Sequence, residues 1–300
     1  MSIRTPLFVA LLSAALLVPA AAAQAKPKAK PKAAPQYYVS LGDSYASGYQ
    51  PGIGNSKAGF VYQVPAWVKK LQPKTNLKIV NFGCAGATTT SLLKQVGCAK
   101  GALGPGAAPY PKATQIAAAE KFLKANRKNV KLITVSISGN DVTRCAQATD
   151  AVACVGEALT GVNTNVAETV KRLRAAAGPK AKIIGTTYPD VILGEWIKGN
   201  QDFAKLSVVA FRDLINPALK KQYESVKGSF VDVTDATSGY DSLDNMGTLA
   251  PYGTIPIPVM RVCQFTWYCS KGDIHANKIG YQIIAQLVAA KFADLGEKRR

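Results

Sequence analysis

The chain has 300 residues and a formal net charge of +19, with 37 lysines and arginines against 18 acidic side chains. Such a charge describes surroundings rather than fold: it keeps copies apart, so a monomer is expected, and it draws the protein toward anionic lipid headgroups or cell-wall polymers. Nucleic acid is not expected as a partner, because the lysines are scattered and no aromatic-basic motif of the RRM or OB type accompanies them.

From the start of the chain, Met1 to Arg4 is positive, Leu7 to Ala22 is almost wholly apolar, and Ala21-Ala22-Ala23 offers small residues for a peptidase. Residues 1–24 therefore read as a secretory signal peptide rather than a membrane anchor, which implies a secreted, extracellular protein. Residues 25–35 alternate Lys, Pro and Ala with nothing to bury, the composition of a disordered basic tether. Residues 36–300 carry no internal repeat and no second linker, and are expected to form a single domain with a large core.

Within that domain, apolar runs predict strands over Tyr37 to Leu41, Leu77 to Phe82, Leu132 to Ser136, Lys182 to Thr187 and Ser229 to Val233. Between them, apolar residues at three- and four-residue spacing predict helices over Val61 to Leu71, Ala113 to Ala125, Asn163 to Ala177 and Asp202 to Val226, the last kinked or split at Pro217. The stretch Gly239 to Gly272 is rich in Gly, Pro and aromatics and reads as a long loop. A final helix over Asn277 to Leu295 places Ile279, Ile283, Ile284, Leu287 and Val288 on one stripe. Alternation of strand and helix is the pattern of an α/β fold: a three-layer α/β/α sandwich around a mostly five-stranded parallel sheet.

Six cysteines in an exported chain imply disulfides. They fall into three close pairs, Cys84 with Cys98, Cys145 with Cys154 and Cys263 with Cys269, and sequential pairing is the simplest of the possible arrangements. Each bridge would contribute about 2–3 kcal/mol by constraining the unfolded chain. No metal and no other cofactor is expected, since the spacings lack a CxxC knuckle and one histidine cannot complete the usual mixed zinc sites.

Polar blocks punctuate the ends of the apolar runs. Gly42-Asp43-Ser44 ends the first strand, Asn81 to Thr89 follows the second, and Ser136 to Asp141 follows the third. The block Gly272 to Asn277 holds the sole histidine, His275, and leads into the last helix. Ligand crevices of open α/β sheets lie at the carboxyl ends of strands, where these blocks fall.

In order and spacing the four blocks resemble the SGNH (GDSL) hydrolase family of esterases and lipases, with its flavodoxin-like fold; the local cysteine pairs look most like the actinobacterial secreted members. The resemblance implies Ser44 as nucleophile and His275 as general base and then acid. It also implies an oxyanion hole made by the backbone N–H groups of Ser44 and Gly86 and the side-chain amide of Asn140. The chemistry agrees: acyl transfer needs an activated hydroxyl, a base near neutrality and donors aimed at the developing oxyanion. Asp43 and Asp141 are expected to hydrogen-bond local backbone rather than to catalyse.

Two positions depart from the family pattern. Ser138 stands where a glycine is usual, and Asp273 lies two residues before His275 where three is usual, leaving Gly272 at the customary position. Either the Asp273 carboxylate or the Gly272 carbonyl would then orient the imidazole, with Asp273 the nominal third member. The expected function is a serine esterase or lipase acting on carboxylic esters, lipids or phospholipids included. The alternatives are an O-acetyl esterase of polysaccharide and a catalytically silent protein that holds anionic polymer.

Overall fold

Five strands, β1 (Gln36–Gly42), β2 (Leu77–Asn81), β3 (Val130–Ser136), β4 (Lys182–Thr186) and β5 (Ser229–Val231), pair in parallel in the order β2-β1-β3-β4-β5. This is the computed structural model of the chain, and it describes residues 1–3, 34–143, 145 and 148–297. The expected signal peptide and tether lie largely outside the described residues.

The strands are continuous apolar runs because the sheet is covered on both faces. Val39, Leu41, Ile133 and Ile183 point to one side, where helices α2 (Thr89–Lys94), α3 (Gln115–Ala125) and α4 (Ala151–Ala177) pack; Ile116, Leu123, Val166 and Val170 meet them there. Tyr38, Leu132, Ile184 and Val231 point to the other side. They meet Phe60, Val64 and Val68 of α1 (Phe60–Leu71) and Ile284, Val288 and Phe292 of α8 (Lys278–Glu297). The result is the expected α/β/α sandwich in the flavodoxin-like order, which reverses direction between β1 and β3 and opens a crevice at their carboxyl ends.

Several elements differ from the sequence expectation. Helix α4 begins at Ala151 rather than near Asn163, started by the Asp150 carboxylate accepting from the Ala153 N–H. Gly156, Thr160 and Gly161 mask its apolar stripe, yet Leu159 and Val162 are buried in the core. The helix expected over Asp202 to Val226 runs as α5 (Gln201–Val209), a π-helical segment Ala210–Ile215 and α6 (Asn216–Ser225). Pro217 has no N–H and its ring crowds the preceding turn, and the wider π turn just before it accommodates both defects without breaking the rod.

The segment Gly239 to Gly272 is not a loop. It holds a hairpin, Met246–Leu249 with Gly253–Pro256, then α7 (Ile257–Phe265) and a helical turn Tyr268–Lys271. Its Gly and Pro residues mark turns and helix starts, while Ile255, Val259, Val262 and Tyr268 build a small third core with Leu193. On α8 the buried stripe is Tyr281, Ile284, Ala285, Val288 and Phe292, and Ile279 is exposed instead of lying within it. Disulfides join Cys84 to Cys98, Cys145 to Cys154 and Cys263 to Cys269. Among the described residues no helix is long and apolar enough to cross a membrane.

Candidate active site

Ser44 starts a single helical turn, Ser44–Ser47, directly after β1. The turn is sharp because Gly42 adopts a φ of +140°, and a Cβ there would come within 2.0 Å of the Ser136 carbonyl oxygen on β3. Only glycine lets β1 run so close to β3 at the point where the chain leaves the sheet. Asp43 caps the turn, its Oδ1 accepting from the Tyr45 N–H and its Oδ2 from the Tyr188 hydroxyl at 2.6 Å. Burial pushes the Asp43 carboxyl up to about 7, against the pull of those two donors.

His275 reaches this turn from far along the chain, its Nε2 lying 2.7 Å from Ser44 Oγ. On the other side of the ring, Nδ1 is 2.8 Å from Asp273 Oδ1. The same oxygen accepts the His275 backbone N–H at 3.0 Å. This is an Asx turn, in which an Asp side chain folds back onto the backbone two residues later. The two-residue spacing therefore suits the carboxylate to both bonds at once, and it is Asp273 rather than Gly272 whose oxygen faces the imidazole. Gly272 ends the preceding helical turn at a φ of +64°.

The histidine loop is fixed from several directions. The Tyr45 hydroxyl donates to the Ile274 carbonyl, Gln50 Nε2 to the Ala276 carbonyl, and the Trp267 N–H to the His275 carbonyl. Cys263–Cys269 ties the chain just before it. The ring packs beside Tyr49 and Tyr45, and burial holds its pKa below the ordinary 6.5 although Asp273 pulls upward.

Asn140 follows β3 and shares with Ser44 the lining of one cavity. Its Nδ2 donates to the Ala87 carbonyl at 2.9 Å, which anchors the amide and leaves its second N–H unassigned by that bond. Ala87 closes a turn on the Cys84 carbonyl in which Gly86 takes a φ of +82°. The positive φ demands glycine there; a Cβ would meet nothing within 4 Å, so crowding is not the reason. Gly86 is not among the residues that line the cavity, and it immediately precedes Ala87, whose carbonyl takes the Asn140 bond. Asp141 bonds non-local groups, the N–H and hydroxyl of Thr89, and so straps β3's loop to the start of α2. Ser138, in the usual glycine position, sits at a φ of +110°.

Two contributors have no motif to announce them. Gln115 at the start of α3 is buried and makes paired hydrogen bonds to Gly42, Oε1 to its N–H at 2.7 Å and Nε2 to its carbonyl at 3.0 Å. Tyr188, after β4, links Asp43 to the Gly139 N–H and so joins the loops that carry Ser44 and Asn140. A buried polar residue at a helix start and a tyrosine after a strand give no signal distinct from ordinary packing.

The cavity, about 170 Å³, runs from Ser44, Asn140 and Ile274 to an almost wholly apolar far end that includes Val155, Phe203 and Phe211. A hydroxyl bonded to a neutral imidazole, whose far nitrogen meets a carboxylate, is poised to give up its proton as it attacks an electrophilic carbon. The apolar space beside it suits a hydrocarbon chain.

The family model described as GDSL-like lipase/acylhydrolase matches residues 40–283. A lipase from a goat rumen metagenome has a similar structure at 15% identity, the match covering 85% of this chain and 96% of that one, with a TM-score of 0.55. A carbohydrate acetylesterase from Sinorhizobium meliloti matches at 14% identity over 87% of this chain and 99% of its own, with a TM-score of 0.47. No curated protein sequence matches the chain. At these identities the structural likeness speaks to the fold alone; the family follows from the model match over most of the chain. This protein belongs to the GDSL-like lipase/acylhydrolase family of SGNH fold and is a carboxylic ester hydrolase.

Proposed function

We propose that the protein is a secreted serine esterase or lipase that cleaves carboxylic esters of medium or longer acyl chains through an acyl-enzyme. The observation that carries this reading is the hydrogen-bonded line from Asp273 through His275 to Ser44, opening directly onto the apolar cavity. Ser44 Oγ attacks the ester carbonyl carbon while His275 Nε2 takes its proton. The oxyanion receives hydrogen bonds from Asn140 Nδ2 and from the N–H groups of Ser44 and Gly86. His275 then protonates the departing alkoxide, and water activated by the same imidazole releases the acid. Asp273 holds the tautomer that leaves Nε2 free and stabilises the imidazolium.

The cavity favours a fatty acyl group over acetyl. Apolar cavities of about 150 Å³ take up benzene, so a space of 170 Å³ has room for roughly six carbons. This speaks against the polysaccharide O-acetyl esterase. The line of three hydrogen-bonded groups speaks against a silent polymer-binding protein. The N-terminal signal pattern and the disulfides support secretion, and the net charge supports loose association of a monomer with anionic lipid or cell-wall polymer.

The experiment pairs Ser44→Ala with a series of p-nitrophenyl esters. The parent should take up a fluorophosphonate label and prefer chains longer than acetyl. The variant should lose at least ~10³ in kcat and all labelling. Retained activity in Ser44→Ala would remove the nucleophile, and a preference for acetyl would remove the acyl assignment.

A further inference from the structure

Resting on the acyl-cavity reading, we propose that the outer face of the α5–π–α6 rod is a lipid-docking surface, which places the mouth of the cavity against an anionic lipid layer. Leu206, Val209 and Leu214 are 38%, 45% and 45% exposed, large apolar side chains in water within one short stretch of helix. All three also line the cavity that begins at Ser44. Surface and cavity are thus continuous, and an acyl chain leaving a lipid layer at this face would pass from one apolar surroundings into another.

The π segment helps build the face. At 3.6 residues per turn, Leu214 would lie roughly 80° around the axis from Leu206. A π turn advances less per residue, so it swings Leu214 back toward the line of Leu206. Scattered exposed hydrophobics need no explanation, but three on one side of one rod at a cavity mouth do.

The charges fit a lipid layer as the occupant. On the rod itself Lys205 pairs with Asp202 and Arg212 with Asp213, and just before it Lys198 pairs with Glu195. The cationic heads beside the apolar side chains are thereby locally balanced, which lowers the cost of bringing the face to the headgroup boundary. The attraction comes instead from the whole molecule, whose formal net charge of +19 for the full chain falls only by the one charge of Arg4 when residues 1–24 are removed, and which is drawn to a negative surface over a Debye length. Long-range attraction and short-range apolar insertion are the two signals that stable peripheral binding requires.

The test uses Ser44→Ala, so that binding is read without turnover, and co-sedimentation with vesicles of phosphatidylglycerol or of phosphatidylcholine. The parent should bind the anionic vesicles. Adding Leu206→Ser and Leu214→Ser should weaken binding by about tenfold or more, at low and at high salt. Undiminished binding by the substituted protein, or equal loss of binding to a soluble polyphosphate, would overturn the proposal, as would failure of the parent to bind either vesicle. Should the double variant misfold by circular dichroism, Leu206→Trp replaces it: quenching of the new tryptophan by brominated phosphatidylglycerol is expected, and its absence refutes insertion. Wild-type hydrolysis of soluble p-nitrophenyl butyrate is measured in parallel. It reports on the ester-hydrolase reading alone, so that reading and the docking face can fail separately.

Discussion

Replacement of Asp273 separates the charge it supplies from the hydrogen bond it makes. Its Oδ1 accepts both the His275 backbone N–H and Nδ1, at 3.0 and 2.8 Å. Because one oxygen makes both bonds, the amide oxygen of Asp273→Asn can occupy the same place and keep the productive tautomer. What that variant loses is charge. A carboxylate and an imidazolium whose centres are about 4 Å apart attract by about 4 kcal/mol at an effective dielectric near 20, or about 10³ in rate. The Asp273 side chain is 23% exposed, so solvent trims the expected loss to about 10²–10³. Asp273→Ala removes charge and acceptor together, and its loss should approach the ~10⁴ that follows when the base is left in the wrong tautomer. The assay is kcat/KM on p-nitrophenyl butyrate for both variants beside His275→Ala. An Asp273→Ala enzyme within tenfold of the parent, with His275→Ala inactive, would rule out the carboxylate and return the orienting role to the Gly272 carbonyl.

Three more outcomes are expected. His275 must be neutral to act as base, and burial holds its pKa below 6.5, so kcat/KM should fall on the acid side with a midpoint below that value. Asp273→Asn, which removes the group that raises this pKa, should move the midpoint lower still; an upward move contradicts the assignment. Ser138→Gly relieves a φ of +110° and should stabilise the fold by about 1 kcal/mol, read as a rise of a few degrees in Tm; a lower Tm would show that the serine is held there by favourable contacts. Gln115→Ala orphans the buried Gly42 N–H and should cost about 1–3 kcal/mol in urea unfolding, whereas an unchanged midpoint would show that Gly42 finds another partner.

The strands were legible because a sheet covered on both faces demands continuous apolar runs, and the blocks around Ser44 and Asn140 were legible because they end such runs. His275 stood out by being alone of its kind. What the sequence concealed depends on tertiary neighbours. The first half of α4 carries glycines that weaken its stripe, and only the core packed against it makes the helix worthwhile. The segment after Gly239 looked like a loop because its turns and its small core are interleaved over a few residues each. Tyr188 and Gln115 became visible only once strands far apart in sequence stood side by side. At Asp273 the family spacing pointed away from the carboxylate, and the Asx turn that brings it back is a matter of local dihedrals.

Ser44 and His275, the proposed nucleophile and base, lie 231 residues apart, and His275 is held between an early turn that supplies Tyr45 and Gln50 and a last helix that packs against α1. A contact between residues so far apart in sequence costs loop-closure entropy before it is rewarded, so it depends on the intervening structure to bring the two segments together. A chain emerging from the ribosome exposes Ser44 early, as an ordinary alcohol with no imidazole to activate it. The hydroxyl gains its partner only when the C-terminal block that carries His275 has docked beside the Ser44 turn.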